Sequence, residues 1–85
     1  MERLGVVGIV IDDRTMAADV QKILSEFAGV IVARTGVPDH ATGQSVISLI
    51  VKGTLEKISA LCGKLGKLPN VSAKSALASI KESSL

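Results

Sequence analysis

The sequence predicts an α+β domain of order β-α-β-β-α-β. This is the ferredoxin-like sandwich, an antiparallel four-stranded sheet with two helices on one face. Three observations predict it. Two β-branched, largely apolar runs, Leu4 to Ile11 and Ser45 to Val51, read as strands. Each is followed by a segment of helical apolar spacing and then by a further strand-like run. The chain is 47% hydrophobic yet has a single aromatic residue, Phe27, so its core is built from Val, Ile, Leu and Ala.

The first strand, Leu-Gly-Val-Val-Gly-Ile-Val-Ile, is apolar at odd and even positions alike, so both of its faces need cover. Asp12 or Asp13 then supplies an N-cap, because a carboxylate accepts the free N–H groups of a first turn. Met16, Val20, Ile23, Leu24 and Phe27 share one helical face, and Gly29 is the predicted stop. Val30 to Val37 reads as the second strand. Gly36-Val37-Pro38-Asp39 opens a turn, and the polar segment to Gly43 reads as mobile.

The third strand, Ser45 to Val51, is apolar at Ile47, Leu49 and Val51 and mixed at Val46, Ser48 and Ile50. Gly53-Thr54 caps the second helix, with Glu56 near its positive end. Leu55, Ile58, Leu61, Cys62 and Leu65 are its predicted buried face. Lys64 and Lys67 lie near its negative end, and Gly66 and Pro69 end it. Val71 to Leu77 is a shorter, more polar fourth strand, followed by a frayed tail from Ser79 to Leu85. The whole chain reads as one domain, residues 1–85, with its core at about 3–78.

Right-handed crossovers place strands one and three, the two most apolar, at the centre of the sheet. Two helices cover one sheet face only. The other face then carries Leu4, Val6, Val10, Val46 and Ile50 with the alternating set of strand two. A bare apolar patch of that kind predicts a homo-oligomer, dimer or tetramer, joined sheet face to sheet face or edge to edge.

Composition narrows the function. Ten Lys and Arg against eight Asp and Glu give a net charge of +2, too small to argue for direct nucleic-acid contact. One cysteine, Cys62, excludes an internal disulfide and fits a reducing cytoplasm. Met1-Glu2-Arg3 leads straight into an apolar strand without the layout of a signal peptide. No apolar run reaches the ~18 residues of a membrane span.

Four segments carry a family resemblance: Gly5-Val6-Val7-Gly8-Ile9-Val10, Arg34-Thr35-Gly36-Val37-Pro38, Ser45 to Val51, and above all Gly63-Lys64-Leu65-Gly66-Lys67-Leu68-Pro69-Asn70-Val71-Ser72. From about Arg3 to Leu77 the chain resembles the small regulators of the iron-only hydrogenase system. The resemblance implies an ACT-like fold, similar to the C-terminal ligand-binding domain of the nickel-responsive repressor, and a part in regulating or supporting that hydrogenase and its maturation. The chain departs from the repressor in two ways. Its first strand starts at about residue 3 with no ribbon-helix-helix before it, and it lacks the cluster of histidines with a cysteine.

Candidate chemistry is sparse. His40 and Cys62 are the only residues of their kinds, too few for the three or four N/S ligands of a nickel or zinc site, so no metal and no cofactor are predicted. Cys62 reads as a small buried hydrophobe. Gly63-Lys64-Leu65-Gly66-Lys67 suggests a phosphate loop, but Leu68 follows Lys67 where Ser or Thr is required, and the segment ends a helix rather than starting one. Ser45 and Ser48 have no His-Asp set, and the carboxylates form no acid/base pair, so the chain is not expected to be an enzyme.

Ligand binding remains. Asp12 and Asp13 either cap a helix or recognise an amine or cation. In ACT-like dimers the corresponding loop often borders the effector pocket. Arg34, the one charge in an otherwise apolar strand, either binds an anion or pairs across an oligomer interface. The candidate pocket residues are Asp12, Asp13, Arg34, Gly36, His40 and Ser45. The resulting expectation is a cytoplasmic regulatory module that binds a small effector or a partner at a subunit interface. The alternative is an accessory protein of hydrogenase maturation that docks a hydrogenase-system protein and senses nothing. Direct transcriptional repression would need DNA binding by a weakly basic chain without a reading helix.

Overall fold

A computed structural model describes residues 2–80. Strands β1 (Glu2–Ile11), β2 (Ile31–Asp39), β3 (Gln44–Thr54) and β4 (Val71–Ser79) form one sheet, with helices α1 (Ala17–Glu26) and α2 (Leu55–Gly66). The spatial order is β2-β3-β1-β4, and the three neighbouring pairs are antiparallel. The ferredoxin-like architecture and the central place of strands one and three are as predicted.

Pleating sorts the central strands by parity. Val7, Ile9 and Ile11 of β1 and Ile47, Leu49 and Val51 of β3 are buried towards the helices. They meet Val20 and Leu24 of α1 and Ile58, Leu61 and Leu65 of α2. The opposite parity, Leu4, Val6, Val10, Val46 and Ile50, is exposed, between 37% and 49%. The open apolar face therefore lies where the sequence placed it.

Element ends differ from the sequence reading. Asp13 caps a 3-10 turn, Arg14–Met16, rather than α1 itself; its carboxylate accepts the Thr15 N–H at 3.0 Å. Asp12 instead accepts from Gln44 Nε2 at 2.6 Å, tying the end of β1 to the start of β3. Gly29 does not stop α1. The helix ends at Glu26, Phe27 caps it, and a second 3-10 turn, Ala28–Val30, contains Gly29. The predicted turn at Gly36 to Asp39 is strand. β2 runs to Asp39, and the chain reverses at residues 40–43, where Gly43 takes a φ of +77°. Asp39 organises that reversal, accepting the Ala41 N–H at 3.2 Å and the Thr42 hydroxyl at 2.8 Å.

In the second half Thr54 is the N-cap, its hydroxyl accepting the Lys57 N–H at 3.2 Å, while Gly53 still belongs to β3. Leu55, predicted buried, is 45% exposed, because it sits at the first position of α2 ahead of the stripe that meets the sheet. Gly66 ends α2 without a left-handed turn. That conformation falls to Asn70, with a φ of 61°, whose carbonyl accepts the Asp12 N–H at 2.8 Å. Lys64 bridges to Glu26 of α1 at 3.0 Å and lies 5.6 Å from the Phe27 ring centre, so it ties the helices together besides sitting near the negative end of α2. β4 extends to Ser79, and the Ile80 N–H reaches the Glu2 carbonyl. Of the predicted frayed tail, residues 81–85 lie outside the described residues.

Candidate ligand-binding groove

Edge strand β2 is open on its helix side. After a half-buried Ile31, each of its residues is exposed, so α1 leaves the helix-side surface of this strand uncovered. A register shift between Ile31 and Ala33 makes Val32 an extra residue. Beyond it, Arg34 stands opposite Leu49, Gly36 opposite Ile47 and Pro38 opposite Ser45. Leu49 and Ile47 face the helices, so Arg34, Gly36 and Pro38 do too.

Between this surface and α1 runs a groove of about 240 Å³, lined by Ile11, Ala17, Pro38, Val46 and Ile47 as apolar walls and by Gln21, Arg34 and Ser45 as polar groups. Its volume falls below the ~300–1,000 Å³ of drug-sized pockets and suits a ligand of few heavy atoms. Gly36 leaves the floor open: a methyl group there would meet Ile47 Cγ1 only at 3.9 Å. The Arg34 guanidinium donates to Gln21 Oε1 at 2.8 Å. No ion pair of Arg34 is found among the described residues. The remaining donors of Arg34, the Gln21 amide and the Ser45 hydroxyl suit an anion that accepts several hydrogen bonds.

Of the six residues that the sequence singled out, the structure brings Arg34, Gly36 and Ser45 together in this groove. Asp12, Asp13 and His40 do not line it. Asp12 is held by Gln44, Asp13 by Thr15, and His40 stands exposed in the β2–β3 turn. The Thr15 backbone N–H and side chain hold the Asp13 carboxyl below the usual 3.8, which is the signature of a cap. Sequence reasoning missed Gln21. It reads as an ordinary polar position of an amphipathic helix, and only the crossover from α1 to β2 brings it to Arg34.

Other places offer less. The groove between the helices is larger, about 390 Å³, but Asp19 and Glu26 face its lysines, and Glu26 neutralises Lys64. Cys62 is half-buried, and burial pushes its thiol above the usual 9.0, with the Ser75 side chain opposing, which makes it a poor nucleophile at neutral pH. No group of three potential metal ligands occurs among the described residues, and no helix among them is long and apolar enough to cross a membrane.

Comparison with known proteins agrees with this architecture. Residues 3–75 match the family described as "TM1266-like: Iron-only hydrogenase system regulator, putative". The chain belongs to this family. An uncharacterized protein of Thermotoga maritima, TM1266, is 31% identical and superposes with a TM-score of 0.86 over 93% of this chain and 100% of its own. The ACT domain of a GTP pyrophosphokinase from Chlorobium tepidum superposes at 0.70, with 18% identity, over 99% of this chain and 96% of the domain. A nitrogen regulatory PII-like protein from Thiomonas intermedia, bound to ADP, AMP and bicarbonate, superposes at 0.61, with 12% identity, over 96% of this chain and 100% of that one. These last two share the fold alone. The comparison with curated proteins gave no significant match. Membership in the hydrogenase-regulator family and an ACT-like fold are thus established for this chain.

Proposed function

We propose that this member of the hydrogenase-regulator family is a sensing module that binds a small organic anion in the groove between α1 and β2. The observation that carries this reading is Arg34. Its guanidinium is oriented by Gln21 at 2.8 Å, has no carboxylate partner among the described residues, and stands beside apolar walls. A carboxylate or phosphate head would take the free donors of the fork, and a short aliphatic body would lie against Ile11, Pro38 and Ile47. The groove borders the free edge of β2, so a subunit or partner docking along that edge would share the ligand. A ligand with different affinity for the free and docked states would shift the balance between them.

A thermal-shift series with acetate, butyrate, lactate and phosphate tests the reading. At least one anion is expected to raise Tm in a saturable way through linkage. Arg34→Gln should remove the response. Gly36→Val should also remove it by filling the groove, while unfolding at the same or a higher temperature, because valine suits a strand better than glycine. A rise in Tm that survives both substitutions would place the anion elsewhere.

A second reading, partner docking without a small effector, is favoured by one feature of β2. It is a nine-residue edge strand exposed on both faces, which is a template for strand addition. Partner capture that is indifferent to every anion and is lost when Pro replaces Thr35 would support it.

A further inference from the structure

The sheet face away from the helices is not uniformly apolar. The registers arrange it in rows across the strands. Val10 and Val46 are neighbours in one row, Val6 and Ile50 in another, and Gly8 and Ser48 lie between them. All six are exposed. A methyl group on Gly8 would meet nothing within 4 Å. The face is thus two aliphatic ridges flanking a shallow trough. At the ends of the trough row stand Lys74 on β4 and Thr35 on β2.

We infer that this face packs against the same face of a second copy, about a two-fold axis parallel to the strands and midway between β1 and β3. That operation lays β1 over the partner's β3 and β4 over the partner's β2. Ridge then meets ridge, Val10 against a second Val46 and Val6 against a second Ile50. The flat Gly8 position meets Ser48, which lets the two sheets approach. Lys74 meets the hydroxyl of Thr35 at the rim. The other face-to-face two-fold, running across the strands through Gly8, would set Lys74 against Lys74, a repulsion that selects against it.

The area is sufficient. Four strands about 4.8 Å apart and about eight residues long at ~3.3 Å each give roughly 500 Å² of plane per copy, or ~1,000 Å² in total before side-chain relief, at the threshold for a specific interface. A patch of this size stands in the upper part of the range that monomers leave in water. The packing uses the face opposite the groove and stands independently of the anion reading.

Sedimentation equilibrium of the full 85-residue chain tests it. The wild type is expected to be a dimer, or a multiple of one, at micromolar concentration. Ile50→Lys should weaken association at least about tenfold with an unchanged far-ultraviolet circular dichroism spectrum. Thr35→Lys should also weaken it, by opposing Lys74 of the second copy. Adding Lys74→Glu to Thr35→Lys should restore association in low salt. β2 and β4 are opposite edges of one sheet, so that rescue can arise only between copies. A monomeric wild type, an Ile50→Lys variant that associates as well as wild type, or a double variant weaker than Thr35→Lys would overturn the proposal.

Discussion

At the scale of single residues, the glycines carry distinct roles that composition hides. Gly53 is buried in β3, and a methyl group there would come within 2.6 Å of Val30 Cγ1 and 3.2 Å of Val30 Cβ. Val30 enters β2 from a 3-10 turn and is itself 5% exposed, so it has little room to yield. Gly53→Ala is therefore expected to destabilise the fold by about 1–3 kcal/mol, read by denaturant unfolding. Gly5 is equally constrained, since a Cβ there would run into the Ala76 carbonyl oxygen, whereas Gly8 faces open space. The sequence shows these three glycines alike. Only the sheet register and the packing of Val30 separate them.

Asp13 gives a pH signature. Its carboxyl is held below the usual 3.8 by the Thr15 backbone N–H and side chain. A depressed folded pKa contributes stability that is present above 3.8 and is lost as pH falls through the folded value. Asp13→Ala should lower Tm at neutral pH, and the difference from wild type should vanish in acid well below 3.8. A difference that persists there would mean that Asp13 acts through something other than its charge. The two aspartates were legible as a loop pair at a helix start, but not which one caps. The Gln44 contact that claims Asp12 spans 32 positions in sequence.

At the scale of elements, helix faces were easier to read than element ends. The spacings of Val20 and Leu24, and of Ile58, Leu61 and Leu65, name the buried stripes correctly, because period 3.6 is a property of the whole element. Ends depend on local hydrogen bonds. α1 stops at Glu26 and hands over to a 3-10 turn, so Gly29 is spared the role of terminator. β2 and β3 each extend beyond the apolar run because antiparallel pairing continues through polar residues to the Asp39–Gln44 pair. Thr54 is the clear cap, joining the end of β3 directly to α2. Thr54→Ala should cost about 1 kcal/mol in thermal or denaturant unfolding, while Thr54→Ser should cost much less. The Lys64–Glu26 bridge, with side chains 55% and 43% exposed, is worth at most about 1 kcal/mol and orients the helices more than it stabilises them.

At the scale of the whole molecule, the sheet order followed from the order of elements and right-handed crossovers, and the apolarity of strands one and three agreed with their central place. The open face followed from having two helices for one four-stranded sheet. The groove was half legible. Arg34 stood out as a charge in an apolar strand, and Gly36 and Ser45 came with it. Gln21 and the walls from β1 and α1 could not be seen, because they meet only when α1 fails to cover β2. His40 was drawn in by sequence nearness alone and lies in the turn instead.

The same geometry puts the groove proposed for an anion on the helix side of the sheet and the face proposed for self-association on the other. The most direct test of the central claim is an amide NMR titration of the labelled chain with the anion that raises Tm, repeated on Arg34→Gln. Binding in the groove predicts saturable shifts clustered at residues 17–21, 34–38 and 45–47, absent in the variant. Shifts centred on Asp12, Asp13 and His40 or on the lysines between the helices, or shifts that persist in Arg34→Gln, would contradict it.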